Sequence, residues 1–66
     1  MSATPKARFI QLYRPIDYPL WVAMMDMSDG TRVCAPTPYK LSVDADTVIA
    51  AIRKLNPQAL DIRAIR

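Results

Sequence analysis

The chain has a single glycine, Gly30, and it stands in Ser28-Asp29-Gly30-Thr31 between two apolar runs. A left-handed backbone is free of strain at this one position, where a β-hairpin between the flanking runs would have to turn. The stretch Trp21 to Ala35 is therefore read as strand, turn and strand, and the rest of the fold has to be arranged around it.

Two registers satisfy an Asp-Gly turn. A two-residue type I′ loop pairs Met27 with Arg32. A three-residue loop, with a type I turn over Ser28 and Asp29 and Gly30 as a positive-φ bulge, sets Met27 opposite Thr31. The second register is preferred, because it places Asp26 against Arg32, Met25 against Val33 and Met24 against Cys34, a more consistent set of cross-strand pairs. One face then carries Trp21, Ala23, Met25, Val33 and Ala35, and the other carries Val22, Met24, Cys34 and the Asp26/Arg32 pair. Apolar side chains fall on both faces, so the ribbon is expected to be covered by the chain's own helix on one side and by something else on the other.

Before the hairpin, Ala7 to Arg14 alternates, with Phe9, Gln11 and Tyr13 on one face and Ile10 and Leu12 on the other, which predicts a first strand. Residues 1–6 are polar and are expected to form a flexible tail. Pro15-Ile16-Asp17-Tyr18-Pro19 is a connector, because proline lacks a ladder donor and biases the residue before it. Pro36-Thr37-Pro38-Tyr39 is read as a second proline-punctuated bend, with Tyr39 to Ser42 a short extended lead into a helix.

The helix has a start, a stripe and a stop. Asp44 is positioned to cap it, Asp46 stands in the first turn, and Arg53 and Lys54 stand in the last, each sign where the helix dipole favours it. Ala45, Val48, Ile49, Ile52 and Leu55 keep the i, i+3, i+4, i+7 spacing of a buried stripe, and Asn56-Pro57 ends it. After a turn at Pro57-Gln58-Ala59, Leu60 to Arg66 alternates again, with Leu60, Ile62 and Ala64 inward. The expected fold class is α+β: a small antiparallel sheet of three or four strands in the order β-β-β-α-β, with one helix on one face and residues 7–66 forming a single domain.

Sixty-six residues bury only about 60% of their unfolded surface, so such a domain is marginal without reinforcement. One cysteine rules out a disulfide within the chain, and the absence of histidine removes the commonest metal ligand and general base. Self-association remains, and a homodimer packing sheet to sheet or sharing a strand is expected. The polar N-terminus with no apolar segment behind it, the lone thiol and the lack of a bilayer-length apolar run point to a cytoplasmic protein without membrane contact. Arginine in excess of lysine and abundant alanine suggest a bacterial or phage source.

Catalytic patterns are lacking. Cys34 has no histidine to activate it and is expected to pack as a small apolar residue; the six acids are all aspartates, explained at Asp44 and Asp46 by capping and at Asp29 by the turn. A single glycine excludes both common phosphate-binding loops, and neither a cofactor nor a metal is expected.

Two binding features remain. Tyr13, Arg14, Ile16, Tyr18, Trp21 and Tyr39 lie at strand ends and connectors and include the residue types that dominate protein interfaces. Lys6, Arg8, Arg53, Lys54, Arg63 and Arg66 would meet in one basic patch, together with Arg14, if the first and last strands are neighbours, and such a patch suits nucleic acid. With a net charge of only +3, the leading expectation is a non-enzymatic protein-binding module, a regulator, inhibitor or accessory protein, with nucleic-acid binding the alternative.

Overall fold

The computed structural model describes residues 4–65, in which strands β1 (Ala7–Tyr13), β2 (Leu20–Met27), β3 (Arg32–Lys40) and β4 (Asp61–Ala64) form one sheet, with helix α1 (Ala45–Leu55) between β3 and β4. The α+β class and the order β-β-β-α-β are those expected from the sequence. Across the sheet the strands run β3-β2-β1-β4, which makes the hairpin strand β2 central and puts β3 and β4 at the two edges.

The hairpin adopts the three-residue register. Asp26 pairs with Arg32, Met25 with Val33 and Met24 with Cys34. At the tip the Met27 N–H donates to the Thr31 carbonyl at 2.8 Å, the Gly30 N–H donates to the Met27 carbonyl at 3.1 Å, and Gly30 has φ +90°. Asp29 fastens the turn by accepting from the Thr31 N–H at 3.0 Å and the Thr31 hydroxyl at 2.6 Å, bonds that hold its carboxyl below the ordinary carboxylate range.

β3 does not end at the prolines. It runs through Pro36 and Pro38 to Lys40, where a bend was expected, and the reason is its place in the sheet. At an edge, a nitrogen facing solvent owes no ladder bond, so proline is tolerated there. The ladder is irregular at this point: Val22 pairs with Pro36 and Leu20 with Lys40, leaving extra residues on β3. Thr37 fills the gap from within, its buried hydroxyl donating to the Trp21 carbonyl at 2.8 Å and accepting from the Tyr39 N–H at 3.3 Å.

β4 pairs with β1 in parallel, so the sheet is mixed rather than wholly antiparallel. Topology dictates this. A helix crossing over one face returns the chain to the end it left, so the strands on either side of α1 run the same way. β3 and β4 share the direction of β1, and β1 is the strand that β4 meets. The Leu60 and Ile65 N–H groups donate to the Arg8 and Leu12 carbonyls, each at 2.7 Å, and frame this pairing.

α1 occupies the expected residues. Asp44 accepts from the Thr47 N–H at 3.3 Å and the Thr47 hydroxyl at 2.6 Å, which lowers its pKa, and the Asn56 N–H closes the last turn on the Ile52 and Arg53 carbonyls. Val48 and Ile52 enter a core with Ile10, Leu12, Trp21 and Ile62. Each fully buried aliphatic side chain there contributes about 1.5–3 kcal/mol. The stripe stops one residue early, however: Leu55 is 73% exposed, and Leu60, expected inward, is 64% exposed because β4 begins only at Asp61.

The N-terminal boundary also shifts. Lys6 was placed in the tail, yet its N–H donates to the Ser28 hydroxyl at 3.1 Å and its carbonyl accepts from the Ser28 N–H at 2.8 Å, so pairing begins before β1. Met1–Ala3 and Arg66 lie outside the described residues. Arg8 is an extra residue in the β1–β2 ladder, and this bulge turns Ala7 to the core side with Ile10.

Candidate functional site

α1 covers one face of the sheet and leaves the other open. The open face takes Phe9, Gln11 and Tyr13 from β1, Val22 and Met24 from β2, and Cys34 and Pro36 from β3, none of them buried. Across it the register sets up rows. At the hairpin end Asp61, Phe9, Asp26 and Arg32 lie side by side; in the middle come Arg63, Gln11, Met24 and Cys34; at the far end Tyr13, Val22 and Pro36.

The face is therefore graded. Its hairpin end carries two exposed ion pairs, Arg32 Nε to Asp26 at 2.8 Å and Arg63 Nε to Asp61 at 2.7 Å, and the Asp26 carboxylate raises the Arg32 pKa. Its far end is apolar. There Ile65 is 42% exposed beside the end of β1, and the connector from β1 to β2 adds Ile16, 97% exposed, and Tyr18, 43% exposed. Ile16 is thus an isoleucine almost wholly in water, at the end of the sheet where the apolar row lies.

The six residues expected to bind protein divide accordingly. Tyr13, Ile16 and Tyr18 share the apolar end. Arg14 lies on the other side of the sheet: its guanidinium carbon is 5.6 Å from the Trp21 ring centroid, on the helix side with Leu41, Val43 and Ala45. Trp21 leaves the set: it is 4% exposed, and its indole N–H donates to the Val43 carbonyl at 2.9 Å, so it closes the core beneath α1. Tyr39 points to the helix side, half-buried against the core and beside α1.

The basic residues come together only in part. β1 and β4 are neighbours, as a shared patch required, and Lys6, Arg8 and the C-terminal end of α1 all lie toward the hairpin end. Arg63, however, is held by Asp61, Arg53 donates to the Ala59 carbonyl at 2.6 Å, and Arg8 lies over the Phe9 ring at 5.8 Å. Lys54 is on the flank of α1 away from β4, and Arg66 is outside the described residues. Cys34, expected to be packed, is exposed on the open face, because β3 is an edge strand and this side of it has no cover.

Sequence reasoning put Val22 and Met24 on this face with Cys34 but not among the binding residues, and it missed Pro36 altogether. Only the strand order, which makes β2 central and β3 an edge, aligns them with Tyr13. Among the described residues no helix is long and apolar enough to cross a membrane. No family model matches the chain, and no curated protein or solved structure matches it either.

Proposed function

We propose that this chain is a small non-enzymatic protein-binding module, a regulator, inhibitor or accessory protein that captures a partner on the apolar end of its open sheet face. The observation that carries the reading is Ile16, 97% exposed, and Tyr18, 43% exposed, in the connector that joins β1 to β2 at the end of the sheet where the Tyr13-Val22-Pro36 row lies. Exposed apolar area of this kind is costly for a marginal domain unless a partner covers it. Self-association belongs to the same reading, since a chain of 66 residues with half-covered faces gains stability from a second copy. A cytoplasmic setting and a bacterial or phage source complete it, on the grounds of the lone thiol and the composition.

The test is affinity purification from the source cells, followed by calorimetry with the partner so identified. Ile16→Ser/Tyr18→Ala changes only exposed side chains and is expected to keep the wild-type circular dichroism spectrum while weakening the partner at least tenfold. Unchanged affinity would move the docking site elsewhere. The nucleic-acid alternative rests on Lys6, Arg8 and the end of α1 lying toward one end of the sheet, and the pairing of Arg63 and Arg32 with aspartates counts against it.

A further inference from the structure

The helical layer is half a layer. Four strands about 4.8 Å apart present more width than one helix of about 10 Å diameter can cover. α1 packs chiefly against β4, with Arg53 reaching the turn before it, so the β3 side of the same face stays open and Val33 there is 41% exposed. Along this side a groove of about 680 Å³ runs between Tyr39 and the flank of α1. Its helical wall consists of two i, i+4 ridges: Asp46, Ala50 and Lys54, and Thr47, Ala51 and Leu55.

The first ridge is its own complement. A two-fold axis through Ala50 sets residue 46 of one helix against residue 54 of an antiparallel copy, so each Asp46 meets a Lys54 and the helix dipoles oppose. Neither side chain has an ion-pair partner within the chain among the described residues. Alanines at the crossing permit close approach of the two backbones, and Leu55, 73% exposed at the groove's end, would lose its water-facing surface against the second helix. A like-charged ridge would repel its copy. This one attracts it.

We infer that the groove beside α1 is the self-association site, occupied by α1 of a second copy in antiparallel register about Ala50. This rests on the self-association part of the reading above and is independent of the open face, which it leaves free for another protein. It also replaces the sheet-to-sheet dimer with one that packs helix against helix.

Light scattering and sedimentation of the full chain test it against the 7.4 kDa of one copy. The wild type is expected at about twice that mass, Ala50→Arg as a folded monomer, and Met24→Arg, on the open face, as a dimer. Lys54→Asp should weaken the dimer about tenfold or more, and Asp46→Lys/Lys54→Asp should recover most of the loss. A wild type that dimerises regardless of Ala50→Arg but not with Met24→Arg would overturn the helical site and leave self-association standing. A wild type that stays monomeric at millimolar concentration would overturn both, and partner capture sensitive to Ala50→Arg in that monomer would give the groove to a different protein.

Discussion

Gly30 is the residue at which side-chain identity and backbone geometry are most tightly bound. Its φ of +90° lies where a Cβ meets its own backbone, and no other atom comes within 4 Å of where that Cβ would sit. The cost of replacing it is thus conformational and free of packing. Gly30→Ala is expected to lower stability by about 1–2 kcal/mol, and Gly30→Asn by less, because asparagine tolerates the left-handed region better. Urea denaturation midpoints measure this, and an alanine variant as stable as the wild type would mean that the turn had relaxed into a form without positive φ at residue 30. That same residue made the hairpin legible in the sequence, since a lone glycine after Asp29 leaves few registers and the Asp26/Arg32 pair selects among them.

Among the elements, β3 is where local rules and tertiary placement diverge. Pro36 and Pro38 argue locally for a bend, and nothing in the sequence states that the strand is an edge, which is what makes them acceptable. The irregular ladder they create is closed by Thr37, whose hydroxyl bonds both the Trp21 carbonyl and the Tyr39 N–H. Thr37→Val keeps the shape and removes the hydroxyl, leaving polar backbone groups unpartnered, and is expected to cost about 1–3 kcal/mol. Thr37→Ser keeps the bonds and should lose less; a valine variant as stable as the wild type, with the serine variant the weaker of the two, would assign the effect to packing alone. α1 was read correctly because its signals are local, from the Asp44 cap to Asn56-Pro57. The parallel pairing of β4 was illegible because it follows from which strand the crossover reaches.

The whole molecule is polarised from a charged hairpin end to an apolar connector end, and the two binding readings fall at opposite ends. The candidate docking residues were only partly legible: Ile16 and Tyr18 sit in a connector and had to be exposed, whereas Trp21 looked equally available until the fold buried it. At the charged end, Asp26 and Asp61 flank Phe9 and engage Arg32 and Arg63, so two cations suited to meet phosphate are already answered by carboxylates. Asp26→Asn/Asp61→Asn removes two negative charges and takes the formal net charge from +3 to +5. Because both pairs are exposed, the fold should melt close to wild type. The wild type is expected to bind neither single-stranded nor duplex oligonucleotides at 0.15 M salt, the ionic strength at which surface charges act over about 8 Å. The double variant should bind them at low salt, with affinity falling steeply as salt rises. A wild type that already shows that steep dependence, and a variant that merely strengthens it, would make the basic end the working surface of the protein and the apolar end secondary.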